Sequence, residues 1–181
     1  LIKSAAEANI MQQAGEISAQ AHLRAMKYAA QQINNTQPIT EFCLEAEIHH
    51  HYAMHGARHP AYGTIVGGGI NACILHYTEN QDEIKPGELV LIDSGCELQG
   101  YAADITRTWP VSGKFSEPQK AIYNVVLTAQ EAVLAAISPT ASLKSLTAVS
   151  VRKVTEGLVD LGILSGEVDE LIKDNAHRAY Y

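Results

Sequence analysis

The middle of the sequence, from Tyr62 to Trp109, differs in pattern from the segments on either side of it. It consists of short runs rich in β-branched residues, separated by glycine and other turn residues, as is typical of strands. The flanking segments repeat their apolar residues at helical spacing instead. The order of helices, strands and helices predicts an α+β chain, in which one αββ unit is followed by the opening helices of a second.

Capping patterns set the limits of the predicted helices. A serine followed three residues later by glutamate or glutamine is a capping box, and a glycine after the last apolar residue ends a helix. The predicted helices span residues 4–32, 40–55, 116–137, 142–161 and, as a short helix, 168–173. The predicted strands lie near residues 64–66, 73–77, 89–93 and 101–109.

Composition and charge exclude several classes of protein. Hydrophobic residues make up 46% and charged residues 18% of the chain, which is the balance of a folded domain. The formal net charge is −7, so no nucleic-acid surface is expected, and no apolar run approaches the ~20 residues of a membrane span. The three cysteines lack metal-site spacing and indicate a reducing cytoplasm. The first four residues are neither a signal peptide nor an initiator methionine, so we expect a longer parent chain.

Two aspartates have positions that suit a metal ion. The apolar run 89–92 predicts a buried strand that leads into Asp93, and a buried carboxylate needs a cation or hydrogen-bond donors. If Leu98 and Gln99 form a tight turn, Asp93 pairs with Asp104, and their Cβ atoms lie roughly 5 Å apart. Carboxylates that close repel each other unless they share one ion or bridge two. The alternative is an ordinary hairpin with one exposed aspartate and one that caps a turn.

Other polar residues are weaker candidates. His76 follows an apolar triplet on a predicted inner strand, where a histidine is either a hydrogen-bonded core residue or a functional one. His51 and His55 have chelating spacing, but we interpret them as helix surface without a metal ion. Tyr62 lies before the glycine run 67–69 and could line the mouth of a pocket.

Three segments carry a more specific signal: 56–66, 73–80, and 89–97 continuing into 100–110. The second contains His-Tyr-Thr-Glu-Asn, and the third ends in Asp-Ile-Thr-Arg-Thr-Trp-Pro. Together they resemble the bacterial Xaa-Pro aminopeptidase (aminopeptidase P) family of pita-bread metallopeptidases. The resemblance spans essentially the whole chain. It implies that residues 1–181 are the N-terminal portion of a pita-bread catalytic domain, without the family's upstream domain and downstream ligand segment.

The resemblance implies roles for individual residues. The residues matching Asp93 and Asp104 are two of five ligands for a pair of ions, usually manganese, of which the first chelates one ion and the second bridges both. The residue matching His76 lies beside the substrate and takes part in catalysis. We assign Tyr62 to the substrate-binding residues as well. In the family, the other three ligands follow the position of Tyr181.

The function that the resemblance implies is that of a dimanganese peptidase, which releases the N-terminal residue from peptides with proline in the second position. Two alternatives stay open: a prolidase-type dipeptidase, and a pita-bread module that has lost catalysis and binds peptides or proteins. We expect the parent protein to be a cytoplasmic homo-oligomer that binds neither nucleic acid nor membranes. Residues 1–181 alone are expected to be inactive, because they contain two of five ligands.

Overall fold

The structure is a computed structural model that describes residues 2–180. The chain divides into two compact units, of which the first ends at Phe115 and the second begins at Ser116. This boundary lies where the sequence pattern returns from strands to capped helices. Among the described residues, no helix is both long and apolar enough to cross a membrane.

The first unit contains helices α1 (Ala5–Asn34) and α2 (Glu41–Met54), which pack against each other. α1 begins with the predicted capping box, in which the Ser4 hydroxyl accepts from the Glu7 amide and the Glu7 carboxylate accepts from the Ser4 amide. Small side chains let neighbouring elements approach α1 closely. Four of its alanines are fully buried: Ala14, Ala21, Ala25 and Ala29.

The strands of the first unit are β1 (Ile39–Thr40), β2 (His59–Pro60), β3 (Ile65–Gly68), β4 (Glu83–Ile84), β5 (Leu89–Asp93), β6 (Cys96–Leu98), β7 (Tyr101–Ala102) and β8 (Thr106–Pro110). They form a β1–β4 pair and two antiparallel sheets with the orders β2–β6–β7 and β3–β5–β8. β5 is therefore a central strand, and its residues Val90 and Ile92 are fully buried in the core with α1 and α2. The strand predicted over 101–109 is divided into β7 and β8.

The strand predicted over 73–77 is not formed. Gly69–Cys73 is a 3₁₀ helix, and His76 lies in an exposed turn with a φ of 54°. Gly69 has a φ of 52°, which glycine adopts without strain, and the chain turns there instead of extending. The apolar residues that suggested a strand face solvent, and Leu75 is 91% exposed. The expectation that His76 lies on an inner strand is therefore wrong.

The turn of the hairpin after β5 lies one residue later than expected. It is formed by Gln99 and Gly100, with φ values of 52° and 85°. Two positive φ angles are typical of the type I′ turn of two-residue hairpins. Because moving a turn by one residue shifts every partner by two, Asp93 lies opposite Thr106. The predicted pairing of Asp93 with Asp104 is therefore wrong.

The described part of the second unit is helical. It contains α3 (Glu117–Ala136), α4 (Leu143–Asp160), α5 (Val168–Lys173) and a 3₁₀ helix over Ala176–Ala179. The predicted caps Ser116 and Ser142 both accept a hydrogen bond from the amide three residues later. Its core is small and consists of Ala129, Val154 and Leu158, with Leu164 packed against them.

Candidate metal centre

Asp93 and Asp104 lie on the same face of the sheet in spite of the corrected register. Asp93 is the half-buried last residue of β5, and Asp104 is exposed in the segment between β7 and β8. Asp104 is two residues away from Thr106, which is the partner of Asp93. Side chains alternate between faces with a period of two, so a shift of two residues keeps the face. The two carboxylates are diagonal neighbours instead of direct partners.

Gly95 allows the segments 94–96 and 103–105 to approach each other next to Asp93 and Asp104. The Ser94 amide donates to the Ile105 carbonyl at 3.1 Å, and the Ala103 amide donates to the Cys96 carbonyl at 2.9 Å. A Cβ on Gly95 would lie 1.9 Å from the carbonyl oxygen of Ala103, so only glycine fits. Sequence reasoning missed Gly95. The signal that could have found it is a glycine two residues after a carboxylate that ends a buried strand.

Tyr62 joins the two aspartates. Its hydroxyl donates a hydrogen bond to Asp93 Oδ1 at 2.6 Å and lies 3.2 Å from Asp104 Oδ1. A hydroxyl has one proton, so the shorter contact is the stronger hydrogen bond. Burial raises the pKa of Tyr62 above its usual value, and the hydrogen bond to Asp93 and the charges of both aspartates raise it further. The phenol therefore stays protonated. Because both Oδ1 atoms contact the same hydroxyl, the two carboxylates are close neighbours.

A buried hydrogen-bond network lies behind Asp93. Ser94 is fully buried, and its hydroxyl contacts the hydroxyls of Tyr52 and Thr64, each at 3.0 Å. The Ser94 carbonyl accepts from Nε2 of His22 at 3.0 Å. Thr64 in turn contacts Nε2 of His49 at 2.8 Å. Among the described residues Nδ1 of His22 has no partner, but the bonds to the hydroxyl and to the carbonyl of Ser94 hold the residue directly after Asp93 in place.

Burial also controls ionisation in this network. The pKa of His22 lies below its usual value because burial disfavours the imidazolium, so His22 is neutral and its proton is on Nε2, facing a carbonyl. Burial raises the pKa of Tyr52 to about 12, and its hydroxyl stays protonated. Sequence reasoning missed both residues, because they are on α1 and α2, far from Asp93 in sequence, and no local motif marks them.

The donor set at Asp93 and Asp104 has the chemistry of a hard metal site. Carboxylate oxygens are the ligands preferred by ions such as manganese, magnesium and calcium. Over residues 2–180, no group of three or more histidine, cysteine, aspartate and glutamate side chains is arranged to hold a metal. The oxygen donors of the pair fit a hard divalent ion.

The histidines considered as candidates from the sequence, His76, His51 and His55, are not on β5, and their surroundings differ. His76 is exposed in the turn after the 3₁₀ helix. His51 and His55 lie at the end of α2, with their rings stacked at a centroid distance of 4.0 Å. His55 Nδ1 donates to the His51 carbonyl at 2.8 Å, so one of its ring nitrogens is already occupied.

The sequence profile of metallopeptidase family M24 matches residues 9–178. The chain belongs to this family. A metal-dependent peptidase family agrees with the two neighbouring carboxylates of Asp93 and Asp104, which Tyr62 joins.

Similar M24 proteins are Xaa-Pro aminopeptidases. The Escherichia coli (strain K12) enzyme is 52% identical over 182 residues, which cover 100% of this chain and 40% of the relative. The Haemophilus influenzae enzyme is 50% identical, with 100% of this chain and 41% of the relative covered. The structure of Zn-substituted E. coli aminopeptidase P in complex with product has a TM-score of 0.91 and 51% identity, over 99% of this chain and 39% of that chain.

These M24 relatives confirm the predicted fold and the predicted resemblance. The chain has part of the pita-bread fold of aminopeptidase P, with mixed helix and sheet. It spans about 40% of the length of the two Xaa-Pro aminopeptidases.

Proposed function

We propose that the parent protein of this chain is a metal-dependent Xaa-Pro aminopeptidase, which releases the N-terminal residue from peptides with proline in the second position. The observation that supports this most is the pair Asp93 and Asp104, joined through Tyr62 in an M24 chain that is 52% identical to such an enzyme. Residues 1–181 would be the N-terminal portion of its catalytic domain.

Asp93 and Asp104 would hold the metal ions. Both carboxylates would serve as ligands, and their oxygen donors favour manganese as a hard ion. When bound, the ions would supply Lewis acidity at the peptide carbonyl and activate water for attack. Tyr62 donates to Asp93 and lies beside Asp104, so it orients both carboxylates towards a common point. Tyr62 would also line the substrate side of this point.

His76 would act on the substrate. Its imidazole is exposed in a turn, where a peptide can reach it. Histidine can carry a proton near neutral pH, and a hydrogen bond to the oxygen of the scissile carbonyl would stabilise the negative charge that develops there. We therefore assign His76 the role of donor at that oxygen.

The test uses the full-length parent protein, first stripped of metal and then loaded with manganese. We expect cleavage of a peptide with proline in the second position, and loss of at least about 100-fold in kcat/KM for Asp104→Ala, because changing even a group behind a metal ligand typically costs about 10–100-fold. Asp160→Ala, which removes an exposed carboxylate from the end of α4, is the matched control and should retain activity. Full activity of Asp104→Ala would contradict the assigned role.

The choice of substrate separates the related functions. A prolidase-type dipeptidase would cleave Xaa-Pro dipeptides and leave longer peptides intact, whereas the proposed enzyme cleaves the longer peptides. A non-catalytic module would bind these peptides without turnover.

Manganese as the native ion, the cytoplasmic location and the homo-oligomer stay predictions. The inactivity of residues 1–181 stays one as well, and measurable turnover by that fragment would contradict it.

A further inference from the structure

Glu41, the first residue of α2, has a fully buried side chain whose carboxylate accepts four hydrogen bonds. Oε1 accepts from the Gly68 amide at 2.8 Å and from Asn71 Nδ2 at 3.0 Å. Oε2 accepts from the Tyr77 hydroxyl at 2.7 Å and from the Asp82 amide at 3.0 Å. An ionised carboxylate only accepts hydrogen bonds, so four donors match it. In a glutamine at this position, the NH2 group would face two of these donors and could not accept from them.

All four donors belong to one segment, residues 68–82, which contains the 3₁₀ helix and the turn with His76. Burying a carboxylate without such donors is strongly unfavourable. The buried Glu41 side chain and the conformation of the 68–82 segment therefore stabilise each other. Asn71 Nδ2 also lies 2.8 Å from Asp82 Oδ2, which joins the 3₁₀ helix to the end of the segment.

His76 lies between two of these contacts in sequence. Asn71 precedes it, and the buried Tyr77 follows it directly, so the backbone on both sides is held by Glu41. His76 itself is exposed and has a φ of 54°. A non-glycine residue keeps this left-handed conformation only where its surroundings impose it. The contacts to Glu41 are such surroundings.

We propose that Glu41 is a positioning residue for catalysis, which acts through His76 by fixing the turn that presents the imidazole to the substrate. This inference rests on the proposed function, since it takes His76 as the donor at the scissile carbonyl. Glu41 acts on the orientation of the turn and not by contact with the peptide.

The test is a double-mutant cycle in the metal-loaded, full-length parent protein. We expect Glu41→Gln to lower kcat/KM for an Xaa-Pro peptide about tenfold, as is typical when a group behind a functional residue is changed. In a His76→Ala background the same substitution should change kcat/KM less than about twofold, because the residue it positions is gone. Glu83→Gln, at the exposed residue of strand β4, is the matched control and should leave both backgrounds unchanged.

Hydrogen–deuterium exchange gives a second measurement that does not depend on activity. Glu41→Gln should speed exchange in residues 68–82 and leave the second half of α2 as protected as in the wild type. If Glu41→Gln fails to fold, Tyr77→Phe takes its place, because it removes one donor and keeps the ring. It should show a smaller loss of activity, again only where His76 is present.

The outcomes separate the two proposals. Equal losses in both backgrounds, full activity of Glu41→Gln, or unchanged exchange over 68–82 would overturn the positioning role while leaving the proposed function intact. Failure of the wild-type parent to cleave Xaa-Pro peptides would overturn the proposed function. Full activity of His76→Ala would remove the role of His76, and with it that of Glu41.

Discussion

The backbone of Gly95 lies against the carbonyl oxygen of Ala103 so closely that a Cβ on Gly95 would be 1.9 Å from that oxygen. This contact is made next to both aspartates, since Gly95 follows Asp93 by two residues and Ala103 precedes Asp104. The spacing of the candidate metal ligands therefore depends on the lack of a side chain at Gly95.

Gly95→Ala should separate the two segments and weaken the site. We expect the free energy of unfolding of the parent protein to fall by about 1–3 kcal/mol, as for other overpacked sites, and manganese affinity to fall with it. Urea denaturation and calorimetric titration measure the two effects. Gly15→Ala is the control, because Gly15 is in α1 with open space around it, and alanine should stabilise the helix by about 0.5–1 kcal/mol.

Tyr62→Phe should destabilise the metal-free protein. The substitution removes a hydrogen bond to an ionised group, which typically contributes about 1.5–3 kcal/mol, and leaves two carboxylates facing each other. Since bound cations would relieve that repulsion, manganese should raise the melting temperature of the variant more than that of the wild type. Equal melting temperatures without metal would contradict this account. Tyr180→Phe, at an exposed tyrosine, is the control.

Ser94→Ala should disrupt the buried network behind Asp93. The buried hydroxyls of Tyr52 and Thr64 would each lose one hydrogen bond, while Thr64 keeps its contact with His49, and each lost bond costs about 0.5–1.5 kcal/mol. Thermal unfolding measures the loss. The control is Ser112→Ala, which removes an exposed hydroxyl. If the two variants lose the same stability, the network does not contribute as proposed.

Stability should decrease on mild acidification because of His22. Its pKa in the folded protein lies below the usual value of 6.5, owing to burial, so below about pH 6.5 the unfolded state binds a proton that the folded state does not. The free energy of unfolding should therefore fall as pH decreases from about 7 to about 5.5. His22→Gln keeps an N–H donor but does not titrate, and should reduce this dependence, while His51, whose pKa burial also lowers, contributes the remainder. His50→Gln, at an exposed position of α2, should not reduce it.

Local patterns predicted the elements that depend on local physics. The continuous apolar run of β5 ends at Asp93 as predicted, and the capping box at Ser116 starts α3. The turn lies at Gln99 and Gly100, one residue after the predicted one, because glycine takes the positive φ that its second position requires. The prediction that Asp104 lies on the same face as Asp93 was still correct, because a register error of two residues does not change the face.

Features that depend on distant partners could not be predicted. Leu75 is apolar, and nothing in its neighbours shows that it faces solvent. The four donors to Glu41 lie 27 to 41 residues away along the chain, so no local pattern connects them. The contact between His22 and Ser94 spans 72 residues. Long-range hydrogen bonds of this kind are set by packing, which periodicity and spacing do not encode.

Helix α2 has one further consequence for the site. Glu41 at its start holds the turn of His76, and Tyr52 near its end holds Ser94 beside Asp93. At 1.5 Å per residue these two contacts are about 16 Å apart on one rigid element. A tilt or slide of α2 would therefore displace the turn of His76, on the proposed substrate side, and Asp93, on the proposed metal side, together. The alignment of these two sides depends on how tightly α2 packs against α1.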